Sequence, residues 1–117
     1  MMTMLLGSSG VCWSADFQKG VAAYERGDYA TALKEWRPFA EQGHADAQFN
    51  LGVMYAKGEG VIQDNVYAHN WWNIAASSGH EDASENRGIV AEMMTASQIE
   101  KAQDLARECV KKNYKGC

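Results

Sequence analysis

The residues best placed to do chemistry in this sequence are three histidines, three cysteines and fifteen carboxylates. Two of the histidines stand in matching surroundings. "EQGHADAQ" (41–48) returns thirty-six positions later as "SSGHEDAS" (77–84), both reading Gly-His-x-Asp-Ala. A metal pair, a catalytic device and the punctuation of a repeat all fit such a pattern. A structural zinc site needs four ligands and a catalytic one three with an open position, and His44 and His80 occupy equivalent points about one repeat apart, too far to share an ion. His80-Glu81 opens like a zinc-protease motif, but no second histidine follows at helical spacing. His69 stands within a helical segment, near no cluster of Cys or carboxylates. No metal or cofactor is expected.

Other catalytic patterns are missing. There is no Ser-x-x-Lys, Gly-x-Ser-x-Gly, Cys-x-x-Cys or phosphate-cradling glycine loop. Gly58-Glu-Gly60 is better suited to a turn between helices. The carboxylates appear with Lys or Arg at helical spacing, as on a solvated face. Trp36, Trp71 and Trp72 suit packing within and between repeats better than ligand stacking. Pro38 cannot donate to the Lys34 carbonyl and crowds that turn, which predicts a kink or break near Trp36–Pro38.

These residues must be positioned by helices. The chain has 117 residues, one proline, 46% apolar residues and net charge −4, about one domain's worth. Eleven scattered Lys and Arg make no basic stripe for a phosphate backbone, so nucleic acid is not an expected partner. No stretch reaches the roughly 20 apolar residues that span a bilayer. The uncharged "MMTMLLGSSGVCWSA" (1–15) reads as the tail of a secretory signal peptide cleaved after Ala15, its basic start lost to a start codon assigned too late. The location expected is periplasmic or secreted in a bacterium; the alternative is a cytoplasmic protein with a frayed terminus.

Glycines and capping residues divide the remainder into helices at about 16–26, 29–42, 45–57, 65–78, 81–93 and 96–112. Apolar residues recur at helical spacing and no period-two alternation exists, so the fold is all-α. The segments repeat. Asp28, Ala32, Trp36, Ala40 and Gly43 shift by thirty-six onto Asp64, Ala68, Trp72, Ala76 and Gly79. A helix-pair period in the thirties predicts an α/α solenoid of about three antiparallel helix pairs, in which neighbouring pairs bury one continuous core. The expected repeats are 16–43, 44–79 and 80–112, within a domain of 16–117 that ends in a short tail.

Residues 45–79, "ADAQFNLGVMYAKGEGVIQDNVYAHNWWNIAASSG", resemble the Sel1-like repeat. That pattern runs Ala-x-Ala-x-x-x-Leu-Gly-x-x-Tyr-x-x-Gly-x-Gly-Val, followed by Asp, Ala, Trp and Ala-Ala before a closing Gly. Its expected core here comprises Tyr24, Trp36, Ala47, Leu51, Gly52, Tyr55, Ala68, Trp71, Trp72 and Ala76. Residues 32–43 also look like the first helix B of small exported bacterial members. The resemblance implies a noncatalytic adaptor of the bacterial cell envelope, binding another protein or peptide segment on the concave face lined by the A helices. Lys19, Phe49, Asn50, Val53 and Asn86 are the residues expected there, with Lys19, Asn50 and Asn86 as a polar ladder. Merely exposed helix residues are the alternative. Some cysteine-rich relatives bind or hydrolyse β-lactams; such an enzyme is the alternative function, although the regularly repeated cysteines are missing here.

Removal of Cys12 with the leader leaves Cys109 and Cys117, an even pair suited to an oxidising compartment. One continuous helix would hold them about 12 Å apart, beyond the roughly 7 Å Cα limit of a disulfide. A bridge therefore requires the chain to turn back after about Lys112, with Gly116 giving freedom. The expectation is a Cys109–Cys117 bond that staples the tail to the last helix and caps the open end of the solenoid. Two free thiols in a cytosolic protein are the alternative.

Overall fold

A computed structural model describes residues 16–117; the leader expected over 1–15, with Cys12 and Trp13, lies outside the described residues. Six helices and no strand occur among the described residues: α1 Phe17–Glu25, α2 Tyr29–Glu41, α3 Ala45–Lys57, α4 Asn65–Ser77, α5 Glu81–Ala91 and α6 Ala96–Lys111. Side chains that satisfy orphan N–H groups fix most of the starts. Asp16 accepts from the Lys19 amide, Asp28 from Thr31, and Asp64 from Val66 and Tyr67. Thr95 and Gln98 form a reciprocal capping box at α6.

The repeated Gly-His is a stop followed at once by a start. Beyond α2, the Gly43 N–H donates to the Ala40 carbonyl and the His44 N–H to Phe39, the bond pair of a Schellman turn. Beyond α4, Gly79 and His80 donate to Ala76 and Ala75 in the same way. Both glycines have φ +93°, a left-handed conformation that a side chain resists. His44 and His80 then serve as the N-caps of α3 and α5.

The break expected at Pro38 does not occur. Helix α2 runs through it to Glu41, and the Gln42 N–H reaches the Pro38 carbonyl at 3.1 Å. Trp36 and Ala40, on either side of the proline, are both buried and hold the helix in register against its neighbours.

Each of the first four helices packs on the next, whereas α6 packs chiefly on α4. One core cluster gathers Trp36, Ala40, Leu51, Met54, Trp71 and Ile74 together with Ala106 and Cys109 of α6. A second gathers Ala68, Trp72, Ala75, Ala83 and Val90, with Phe49, Val53 and Ala76 packed against it. Helix α6 therefore belongs to the core of the earlier repeats, and α5 to the second cluster.

Cys109 and Cys117 are disulfide-bonded, their Cα atoms 5.6 Å apart. The tail turns through Asn113 and Tyr114, both at positive φ. It does not cap the far end of the array as expected. Tyr114 packs beside Gly43, and the Lys115 ammonium donates to the Glu41 carbonyl at 3.4 Å. The hydrophobic contact of Tyr114 with the first cluster draws the tail back to the α2–α3 turn.

Candidate functional site

The first two pairs are locked by the same device. Trp36 lies against Gly20 of α1, and its indole N–H donates to the Phe17 carbonyl at 3.1 Å. Trp72 lies against Gly52 of α3, and its N–H donates to the Phe49 carbonyl at 3.0 Å. The missing side chain lets the indole touch helix backbone. A Cβ added at Gly20 would stand 2.5 Å from the Trp36 nitrogen, and one at Gly52 would overlap Trp72 in the same way.

Locking the pairs leaves a groove of about 280 Å³ between α1 and α3, floored by Trp36 and lined by Val21, Tyr24, Glu25, Phe49, Asn50 and Val53. Ring contacts and a hydrogen bond link its walls. Tyr24 lies 5.6 Å from Trp36 and 5.2 Å from Tyr29, ring centre to ring centre. The Tyr24 hydroxyl donates to the Glu59 carboxylate at 2.6 Å, crossing from α1 to the loop after α3. Burial, and then that carboxylate, push the phenol well above its ordinary range, so it remains a donor at any physiological pH. Phe49 stacks on His80 with ring centres 4.7 Å apart. His80 accepts the Ala83 N–H at Nδ1, so its own proton sits on Nε2, which meets Asp46 at 3.0 Å. The two copies of the histidine motif thus touch, Asp46 of one with His80 of the next. That contact positions helices. Among the described residues no group of three or more His, Cys, Asp or Glu side chains gathers to hold a metal ion.

Of the residues expected on the concave face, Phe49, Asn50 and Val53 come together in this groove. Lys19 and Asn86 do not line it. The Lys19 ammonium instead lies 3.6 Å from Glu35, a buried carboxylate that also accepts the Asp16 N–H. The continuous ladder of Lys19, Asn50 and Asn86 is therefore interrupted at its first rung. Sequence reasoning missed Val21, Glu25 and Glu59, and placed Tyr24 in the repeat core without its part in the groove. Val21 sits one residue after Gly20 as Val53 sits one after Gly52, and that correspondence was the available signal. The expected core residues Trp36, Ala47, Leu51, Gly52, Ala68, Trp71 and Trp72 are buried, and Tyr24, Tyr55 and Ala76 are half-buried.

A larger groove of about 560 Å³ runs between α4 and α6, with Ile74, Ala106 and Val110 along it and Asn73, Arg107 and Lys111 at its edges. Its two cations are paired within their own helix, Arg107 with Asp104 and Lys111 with Glu108. Near its Asn73 edge, the Arg87 guanidinium donates to Asn73 at 2.7 Å and faces the buried ring of His69. Burial first, and Arg87 second, hold the His69 imidazolium below its ordinary pKa, so the ring is neutral near pH 7.

Helix pairs joined by a repeated glycine–tryptophan lock define an α/α repeat solenoid. The Sel1 repeat family profile matches residues 45–80. Two exopolysaccharide production negative regulators are similar: that of Rhizobium leguminosarum bv. viciae at 38% identity and that of Rhizobium meliloti (strain 1021) at 35%. Each match covers 62% of this chain and 27% of the relative. A solved protective antigen present in uropathogenic Escherichia coli strains, displaying an SLR fold, superposes with a TM-score of 0.75 at 30% identity, over 84% of this chain and 23% of that one. The chain therefore spans about a quarter of the length of these relatives. Residues 45–80 carry a Sel1 repeat, within a chain that shares the SLR fold.

Proposed function

We propose that this protein is a noncatalytic adaptor of the bacterial cell envelope that holds an extended segment of another protein in the groove between α1 and α3. The observation that carries this reading is the groove's lining. Tyr24, Trp36, Phe49, Val21 and Val53 offer an apolar trough, Asn50 offers an amide for a peptide backbone, and Glu25 sets a carboxylate at the edge. Such a site suits an apolar side chain with a Lys or Arg beside it. The walls are held by hydrogen bonds and ring contacts, which lowers the ordering cost of binding.

The envelope location is supported by the Cys109–Cys117 bond, at home in an oxidising compartment. No helix among the described residues is long and apolar enough to cross a membrane. Likeness to the two exopolysaccharide production negative regulators extends over 62% of this chain and 27% of each of them, so their regulatory role is not carried over to it.

The test is a photo-crosslinking amino acid placed at position 50 in cells, with a second variant carrying it at the exposed Lys101 on α6. A discrete adduct from position 50 that is absent from position 101 and lost on Val53→Arg is the expected result. No adduct from position 50, or the same adduct from both positions, would contradict the groove. Purified protein should also leave nitrocefin intact; saturable turnover abolished by one substitution would replace the adaptor with an enzyme.

A further inference from the structure

The glycine–tryptophan lock has a third glycine and no third tryptophan. Gly20, Gly52 and Gly88 stand at corresponding points of α1, α3 and α5. The residue eight after the aspartate that caps α2 or α4 is a tryptophan, Trp36 after Asp28 and Trp72 after Asp64. The residue eight after Thr95 in α6 is Gln103, which lines the α4–α6 groove. Gly88 is exposed, and nothing lies within 4 Å of where its Cβ would be. Helix α6, which would supply the missing side chain, has joined the other core cluster. Beside the vacant position Ile89 is 54% exposed and Met93 67%, although Ala83 and Val90 on the same helix are buried.

We propose that the α5 face at Gly88 is a second docking site, whose occupant is a tryptophan-bearing helix of another protein. The chemistry of that occupant is drawn twice within this molecule. Its indole would lie over Gly88 and donate to the Glu85 carbonyl, as Trp36 donates to Phe17 and Trp72 to Phe49, in each case three residues before the glycine. The third copy differs at one point. Phe17 and Phe49 are replaced by Glu85, and in the first copy the Phe17 ring meets Phe39, three residues after Trp36. A matching partner therefore carries Lys or Arg three residues after its tryptophan, facing the Glu85 carboxylate. Ile89 and Met93 would be covered alongside.

The site lies outside the α1–α3 groove and stands whether or not that groove binds a peptide. The test uses the whole protein, 15N-labelled, with a synthetic peptide of residues 63–79, which contains Trp72, cross-linked on its outward side to stay helical. Expected are saturable shifts of the Gly88 and Ile89 amides, at least tenfold weaker binding by the Trp72→Ala peptide, and tighter binding at low salt by the Ala75→Lys peptide. Gly88→Leu in the protein should abolish the shifts without lowering its melting temperature, because the position is open. Absence of shifts at Gly88, shifts at Gly52 instead, or equal binding by Gly88→Leu would each overturn the proposal. Dimerisation of the protein alone, removed by Gly88→Leu, would also overturn it by making a second copy the occupant.

Discussion

Two regions of one chain carry the same helical grammar and use it differently. In α1–α4 each A helix offers a glycine, each B helix fills it with an indole, and the indole N–H of Trp36 and of Trp72 donates to a backbone carbonyl of the A helix. In α5–α6 the glycine is present, but Gln103 stands where the indole belongs and the last helix has moved onto α4. The pair that lacks the indole is the open one. Small repeats cannot bury an apolar face alone. Helix α6 buries its own by joining Ala40, Trp71 and Ile74, and a disulfide and Tyr114 hold its end there.

The comparison breaks most visibly at its tryptophans. Trp72→Ala should cost about 3–5 kcal/mol, the range for emptying a core site of that size, enough to lower the melting temperature sharply or unfold the chain. Gln103→Ala, at the corresponding point of α6, should change stability by no more than about 0.5 kcal/mol. Thermal unfolding of the two variants side by side checks both; equal losses would mean that the last pair is closed like the others.

Reduction of Cys109–Cys117 comes next. Opening so short a loop should cost about 2–3 kcal/mol, chiefly by freeing the unfolded tail. Because Tyr114 and Lys115 rest at the α2–α3 turn, exchange protection should fall at Glu41 to His44 as well as in the tail. A tail that merely capped α6 would leave that turn unchanged. Two reactive thiols in denatured, unreduced protein isolated from the periplasm would contradict the bond itself.

Acid should act through His69. Its folded pKa lies below the ordinary value of about 6.5, so the unfolded chain takes up the proton first. Stability contributed by the neutral buried ring is present above that value and is lost as pH falls below it. Melting temperature should therefore decline between pH 7 and pH 5, and the decline should be shallower in His69→Gln. Parallel profiles for the two proteins would remove His69 from the account.

Much of this could be read from the residues. Helix boundaries were legible because glycines and capping side chains mark them locally, and the bonds from Gly43, His44, Gly79 and His80 show how one dipeptide stops and restarts a helix. The disulfide was expected from the even pair Cys109 and Cys117 in an oxidising compartment, and the short chain between them required the turn after the last helix. Less was visible in the site. Phe49, Asn50 and Val53 share a groove as their repeat positions suggested, but Lys19 is drawn away by Glu35, a tertiary partner nineteen positions from the Asp16 amide it also binds. The return of α6 to the earlier core was hidden for a similar reason. Its amphipathic face specifies that it must pack, and only the loss of tryptophan at Gln103 hints that α5 is not its partner.

Asn50→Ala should have the smallest effect on the free protein. The side chain is half-buried at the groove and makes no hydrogen bond that holds two helices together, so melting should stay within about 0.5 kcal/mol of the parent. Crosslinking of a bound segment from the neighbouring position 53 should fall. A large loss of stability would make Asn50 part of the packing.

The contrast between locked and open pairs is tested most directly by the same substitution at two equivalent glycines. Gly52→Ala places a methyl group into the Trp72 indole and should destabilise by about 1–3 kcal/mol, as overpacking does. Gly88→Ala meets nothing within 4 Å and gains helix propensity, so it should stabilise by up to about 1 kcal/mol. Opposite signs in chemical denaturation are the predicted result. Destabilisation of both by similar amounts would show that a side chain already fills the Gly88 position and that the third pair is closed.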